Sequence, residues 1–310
     1  MIKKSSIRRI CVATLALFIL LIIYFFPNND TTIKEHLNYI KRDEMPIFLI
    51  DNSNYVARTS IVKSSENINE QIIEIIETLT KNSKKSSYIR DGFKPVIPEN
   101  TKVIDVKLDN EILTINFSKE LLNIDKDNEE KMIEAIIYSL TEIKEIKKIK
   151  ILVENTPFTK LPNSQKKLPE ILDKNYGINK TYNLDSIKKS TKTTIYYLSK
   201  YKDYHYFVPV TKINNEKTEK VEIIIKELKS TPIYQTNLIS YLAASANITN
   251  YELLENAIKL SFNNYLIANI KEEEALEEVK YSIALSLRDT YGVNEVIFNI
   301  PDSENIKISV

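Results

Sequence analysis

Apolar residues recur at helical spacing in two separate parts of the chain. Ile72, Ile75, Ile76 and Leu79 lie at positions i, i+3, i+4 and i+7, and the same spacing returns 149 residues later within 221–228. Such spacing collects apolar side chains on one face of a helix. The pattern therefore predicts two core-facing helices that belong to two copies of one repeated unit.

Strand-like patterns lie at matching positions around these helices. The predicted strands are 47–50, 55–62, 102–108, 112–118 and 149–153 in the first copy, and 195–198, 204–210, 258–262 and 296–300 in the second. A second helix stripe runs from Met132 to Ile143, and Tyr138-Ser139-Leu140 matches Tyr281-Ser282-Ile283. Asp127 and Glu130 have the spacing of a capping box. Each copy therefore has the predicted order β-β-α-β-β-α-β.

The N-terminus carries an unbroken apolar run, residues 10–26, behind Lys3, Lys4, Arg8 and Arg9. A helix of this length spans about 25 Å, the short end of what a bilayer accepts. A cleaved signal peptide would need small residues near 24–26, where Tyr and two Phe stand, and a lipoprotein would need Cys11 after the run instead of within it. The pattern favours an uncleaved anchor with the N-terminus in the cytoplasm.

Composition excludes several functional classes. The 43 basic and 42 acidic residues nearly cancel, which argues against nucleic-acid binding. The three glycines are far apart, so no phosphate-binding loop is predicted. One cysteine and two histidines are too few for a structural zinc site. We therefore predict no catalytic, cofactor-binding or metal-binding residues, no cofactor and no enzymatic activity.

Individual residues that could carry chemistry have simpler interpretations. His205 is expected to have a structural or surface role and His36 to be solvated, and the run Glu272–Glu274 is expected to open a helix, with metal binding as the alternative. Tyrosines cluster near His205 in strand segments, with an interaction surface as the alternative. These tyrosines are Tyr196, Tyr197, Tyr201, Tyr204 and Tyr206. Two basic groups are read as solvated faces, with binding of a polyanionic wall polymer as the alternative. They comprise Lys81, Lys84, Lys85 and Arg90, and Lys144, Lys147, Lys148 and Lys150.

Three stretches of the first copy carry a resemblance to a known family. They are Val96–Val103, with its Pro-x-x-Thr pattern, the strand Leu113–Ser118, and the helix segment Ile136–Glu142. The second copy retains only Lys259–Phe262 and Tyr281–Ile283. The chain resembles the GerM family of spore-forming bacteria, whose members have two GerMN domains. The resemblance covers roughly residues 46–154 and 193–302.

The resemblance implies a fold, and the apolar run and the repeat spacing add an organisation. The fold class is α+β, with an N-terminal transmembrane helix and two tandem GerMN-like units, each with helices packed on a small mixed sheet similar to ring-building motifs. The predicted parts are a cytoplasmic basic tail (1–9), the anchor (10–26), a stalk (27–45), the first domain (46–155), a linker (156–191) and a second, divergent domain (192–310).

The family also implies a role in sporulation. We expect a single-pass membrane protein, with its repeats outside the cytoplasm at the mother-cell-derived forespore membrane. There it would act as a structural or assembly protein that contacts envelope and sporulation channel proteins, or further copies of itself in an oligomer or ring. A receptor for cell-wall glycan or a small ligand is the main alternative, with a pocket expected between the two units, and a wall hydrolase is a third hypothesis.

Overall fold

A computed structural model describes residues 14–15, 17, 43–184, 190–230, 236–263, 266, 273–301 and 305–310. Of the predicted anchor, only Thr14, Leu15 and Leu17 are among them, and these three are helical. The predicted tail and nearly all of the stalk lie outside the described residues. No helix in the described part of the chain is long and apolar enough to cross a bilayer.

Both repeats contain the predicted elements in order, each ends in one further short strand, and the first repeat has an additional two-residue strand between its first helix and its third predicted strand. The first repeat contains β1 (Glu44–Asp51), β2 (Val56–Val62), α1 (Ile68–Leu79), β3 (Phe93–Lys94), β4 (Val103–Asp109), β5 (Ile112–Phe117), α2 (Glu129–Leu140), β6 (Lys148–Val153) and β7 (Thr156–Pro157). After β8 (Thr181–Asn183), the second repeat contains β9 (Thr191–Tyr201), β10 (Tyr204–Asn214), α3 (Lys220–Lys229), β11 (Ile248–Leu253), β12 (Ala257–Phe262), α4 (Glu273–Tyr291), β13 (Glu295–Asn299) and β14 (Ile306–Ser309).

The prediction of one small mixed sheet per repeat is only half right. Strands β4-β5-β6-β7 form one mixed sheet and β11-β12-β13-β14 form another, with parallel pairs β5–β6 and β12–β13. The two opening hairpins instead join β3 and β8 in a six-stranded sheet that both repeats share. These hairpins had a recognisable signature, because β1 and β9 contain continuous buried runs instead of alternation. Continuous burial is typical of strands covered on both faces.

The helices begin where local hydrogen bonding supports them. The side chain of Asn67 caps α1 by accepting from the backbone N–H groups of Asn69 and Glu70. The predicted capping box of Asp127 and Glu130 is not formed, because a 3₁₀ turn over Lys126–Asn128 precedes α2. Glu129 uses its carboxylate elsewhere and accepts from the backbone N–H of Ser164 at 2.9 Å.

Two equivalent serine contacts fix the correct alignment of the repeats. The buried backbone N–H of Phe48 in β1 donates to Oγ of Ser139 in α2 at 2.9 Å. In the second repeat, the N–H of Tyr196 in β9 donates to Oγ of Ser286 in α4 at 2.8 Å. Ser139 and Ser286 are 147 residues apart, whereas the sequence match paired Ser139 with Ser282. That match was therefore displaced by about one helical turn, which preserves the apolar stripe and so leaves the periodicity unchanged.

The segment 156–184, within the predicted linker, packs onto both repeats. Its buried apolar residues are Phe158, Leu161, Leu168, Leu172 and Ile178. Leu172 exchanges two backbone hydrogen bonds with Ile149 of β6, and β8 pairs with β10. These residues have no regular spacing, because they lie in irregular structure, so periodicity did not reveal their burial. The hydrophobic core consequently runs without interruption through both repeats.

Candidate functional site

Buried charges from both repeats meet at the junction between them. Glu142, just after α2, accepts two bonds from the guanidinium of Arg288 in α4, at 2.7 and 3.0 Å. Lys174 Nζ lies 2.9 Å from Glu142 and 2.8 Å from Asp289. The hydroxyl of Tyr196 donates to Asp289 at 2.5 Å. We call Glu142, Lys174, Arg288 and Asp289 the junction cluster. Its two acids occupy equivalent positions, because they are also 147 residues apart.

The junction cluster keeps its acids ionised in spite of their burial. The side chains of Glu142 and Asp289 are only 4% and 1% exposed. Burial alone would raise the pKa of Glu142, but the positive charges of Lys174, Arg288 and Arg58 outweigh it and hold the pKa well below its usual range. For Asp289, Arg288 and Lys174 likewise overcome burial and lower the pKa. Charge pairing of this quality ties the two repeats and the connecting segment together.

Asn179 closes the shared sheet where its strands diverge. Strands β2 and β10 pair at only one position, Arg58 with Phe207. Beside it, the side-chain amide of Asn179 donates to the carbonyls of Val56 at 2.8 Å and Pro209 at 2.7 Å, and its Oδ1 accepts from the N–H of Val56 at 2.9 Å. One side chain thus supplies the hydrogen bonds that a strand would otherwise provide.

Loop residues of the first repeat complete the junction at its rim. A Cβ on Gly92 would lie 2.8 Å from ring atoms of Tyr201, and the backbone there has a φ of +92°. The guanidinium of Arg90 stacks 3.4 Å from the centre of the Tyr204 ring, and Lys202 pairs with Asp91 at 2.8 Å. The repeats therefore meet from core to rim as one body.

His205 has a carboxylate partner that the sequence did not reveal. Its Nδ1 lies 2.6 Å from Oε1 of Glu278 in α4, 73 residues away. Its ring packs 5.8 Å from that of Tyr241, and its Nε2 is buried without a hydrogen-bond partner among the described residues. The described residues therefore place no hydroxyl or thiol on Nε2, where a hydrolytic triad would have its nucleophile. The contact joins β10 to α4, as a structural role for His205 requires.

The tyrosine cluster lies mainly in the core. Tyr196, Tyr197 and Tyr206 are buried, and their hydroxyls donate to Asp289, Glu227 and Asp51 respectively. Burial raises the pKa of all three phenols. The alternative of a tyrosine interaction surface is therefore wrong for these three. The predicted acidic run opens α4 at Glu273, whereas His36 lies outside the described residues.

The mixed sheets leave two edge strands exposed. Strand β4 pairs with β5 on one side only, and β11 pairs with β12 on one side only, among the described residues. Both strands contain a bulge at the equivalent position, after Val103 and after Ile248. The outward side chains of β4 include the charged pair Asp105 and Lys107. Unpaired edges of this kind are ready positions for another strand.

A groove of about 900 Å³ lies between α1 and the start of β4. Lysines and hydroxyl or amide side chains dominate its polar lining, together with Glu77 and Glu99. The lysines are Lys81, Lys84, Lys85 and Lys102. Lys85 is engaged by Glu74 at 2.6 Å, and exposed Tyr88 stands at the rim. This groove lies wholly in the first repeat. The pocket expected of a receptor would instead lie between the two repeats.

The other chemical predictions have simple outcomes. Within the described part of the chain, no group of three or more His, Cys, Asp and Glu side chains could hold a metal ion. Of the second basic group, Lys150 pairs with Glu170 at 2.5 Å, and Lys144, Lys147 and Lys148 are exposed.

Known proteins with similar sequence agree with this architecture. A family model described as Germane, sporulation and spore germination, matches residues 23–159. The spore germination protein GerM of Bacillus subtilis (strain 168) is 27% identical over 257 residues, which cover 81% of this chain and 69% of that protein. The chain is similar to the GerM family over most of its length. The resemblance seen in the sequence is thereby confirmed.

A solved structure of the GerM family confirms the fold. The tandem GerMN domains of the sporulation protein GerM from Bacillus subtilis superpose with a TM-score of 0.74 at 24% identity, covering 84% of this chain and 91% of that one. The α+β class and the tandem GerMN-like units are therefore correct.

Proposed function

We propose that this chain is a non-enzymatic, membrane-anchored assembly protein of the sporulation envelope apparatus between mother cell and forespore. Homology to GerM supports a role in sporulation. The observation that carries the assembly role is structural: one compact unit presents two edge strands, β4 and β11, whose outer edges pair with no other strand among the described residues. Envelope or channel proteins of the sporulating cell, and further copies of the chain, are the proposed partners.

The anchor in this proposal is the apolar run 10–26. Its sequence supports a single span with the N-terminus in the cytoplasm and the repeats outside, at the mother-cell-derived forespore membrane. Replacing 10–26 by the anchor of an unrelated single-pass protein should preserve membrane fractionation and function, whereas deleting it should release the chain. A chain that stays in the membrane without 10–26 would contradict this part of the proposal.

Deletion in the source organism tests the proposed role. Sporulation should arrest or yield defective spores, as followed by microscopy, and the intact chain should restore it. Site-specific crosslinkers on β4 and β11 should then recover envelope proteins from sporulating cells. Normal sporulation without the gene, or the absence of any crosslinked envelope protein, would overturn the proposal.

The groove beside α1 favours a second candidate function, the binding of an anionic wall polymer. Among the described residues, its lysines Lys84 and Lys102 make no ion pair, and Lys81 makes only a long one with Asp125 at 4.0 Å. Changing all three to Glu should abolish retention on immobilised polyglycerol phosphate. The charge-matched change of Lys144, Lys147 and Lys148 to Glu is the control. If the two triple variants lost retention equally, the binding would depend only on net charge, and the groove would not be the binding site.

A further inference from the structure

Strand β4 exposes one edge along its whole length. Within the described part of the chain, its only strand partner is β5. Asp105, Lys107 and Asp109 point to solvent, Ile104 is 50% exposed, and none of the three charges makes a close ion pair with another described residue. This segment therefore offers both free peptide groups and uncompensated charges.

The hairpin turn determines which peptide groups face outward. Asn110 and Glu111 both have left-handed backbones, with φ of 48° and 64°, as in a two-residue type I′ turn. Such a turn makes Asp109 and Ile112 a hydrogen-bonded pair, so the peptide groups of Asp109 and Lys107 face β5. By alternation, those of Val106 and Leu108 face the open edge.

We propose that two copies of this chain join through antiparallel β4 strands, centred on Val106. In this register, Asp105 of each copy lies opposite Lys107 of the other, which gives two cross-strand ion pairs. The two four-stranded sheets become one continuous eight-stranded sheet across a two-fold axis. The inference rests on the assembly role proposed above and names a second copy as one partner.

Charge selects both the register and the partner strand. Centring the pair on Lys107 would set Lys107 against Lys107 and Asp105 against Asp109, which repel. Centring it on Leu108 would pair Lys107 with Asp109 but would also bring Asp105 opposite Glu111 of the turn, so the repulsion offsets the gain. At the equivalent edge, β11 carries Asn250 and Glu252, so self-pairing there gains no ion pair, and pairing with β4 opposes Glu252 to Asp105. A closed dimer through β4 is favoured over an open chain.

The bulge at Ile104 limits how far the pairing extends. It shifts the register between Val103 and Asp105, so the regular part of the interface is Asp105–Lys107 with its symmetry mate. Bulged edge strands resist indiscriminate aggregation. The charged pairs consequently decide whether two copies associate.

Charge reversal of single positions gives a sharp test. Two versions of the full chain, each with a different tag, are co-expressed and extracted in mild detergent. Purification through the first tag recovers the second tag only if the chains associate, so the recovered amount measures self-association. Asp105→Lys places Lys opposite Lys, and Lys107→Asp places Asp opposite Asp. Each should lose about tenfold or more of the association. Both positions are exposed, so circular dichroism should be unchanged.

Mixing restores the complementarity that each single variant loses. Co-expressed Asp105→Lys and Lys107→Asp chains should recover each other as well as two wild-type chains do, and the double variant D105K/K107D should recover itself. Failure of wild type to associate, or of the mixed pair to recover, would overturn the inference.

Failure here is distinguishable from failure of the assembly role. If self-association is absent but deletion still blocks sporulation and crosslinks reach envelope proteins, the β4 dimer is wrong and the proposed function stands. If the charge-dependent dimer forms while sporulation is normal without the gene, the dimer stands and the sporulation role is wrong.

Discussion

The two repeats share their interior and differ at their edges. In both repeats, a helix serine accepts a hydrogen bond from a strand N–H, and the acid three residues after that serine belongs to the junction cluster. Both edge strands also contain a bulge. They differ in the charges of that edge strand, and the lysine-lined groove lies in the first repeat. The comparison separates the residues that build the GerMN-like unit from those that give each copy its own surface.

Breaking the junction cluster should cause the largest loss of stability, because the cluster joins the two repeats. Arg288→Ala leaves Glu142 and Asp289 buried with Lys174 and the more distant Arg58, 3.9 Å from Glu142, as their remaining cations, which should cost about 3–5 kcal/mol of unfolding free energy. Urea denaturation should show this loss. Lys202→Ala removes an exposed pair and should cost at most about 1 kcal/mol. Equal losses would show that the junction cluster adds no cooperativity.

The equivalence of the repeats can be tested at their serines. Ser139→Ala and Ser286→Ala each leave a buried strand N–H without its acceptor, and each should cost about 1–3 kcal/mol. The two losses should be similar when measured by denaturant unfolding. Ser282→Ala should have the smaller effect. If Ser282→Ala proved the closer match to Ser139→Ala, the 147-residue alignment would be wrong.

The stability that the junction cluster contributes should also depend on pH. This effect should be smaller and limited to acidic pH. Because the folded pKa of Glu142 is depressed, its ionised form stabilises the protein fully above the unfolded pKa near about 4.3, and this contribution is lost as pH falls below that value. The stability difference between wild type and Glu142→Gln should therefore be constant from pH 6 to 8 and should shrink below pH 4, by at most about 1.4 kcal/mol per pH unit. A difference that grows in acid would reverse the assigned charge state.

Much of the fold follows from the sequence because periodicity records burial. The stripe from Ile72 to Leu79 and the alternation of Leu113, Ile115 and Phe117 identified a helix and a strand at their observed places. Repeat comparison added the order of elements. The sharing of one sheet was not predicted, since strand pairing between distant hairpins leaves only the continuous burial of β1 and β9 as a trace.

The candidate surfaces were predictable only in part. Glu142 and Asp289 could have been found, because an acid follows three residues after Ser139 and after Ser286 once the repeats are aligned correctly. Lys174 and Asn179 gave no signal, since they lie in an irregular segment without a copy elsewhere in the chain. Glu278 was missed as the partner of His205 because a contact across 73 residues depends on the packing of α4 against the shared sheet.

Exchanging the edge charges between repeats tests most directly whether the edge strands, rather than the shared interior, determine assembly. The measurement is the molar mass of the full chain in detergent by light scattering. Wild type should be a dimer, Asp105→Asn with Lys107→Glu should make β4 resemble β11 and give a monomer, and Asn250→Asp with Glu252→Lys should add a second self-complementary edge and give longer chains. The same mass for all three proteins would contradict the account.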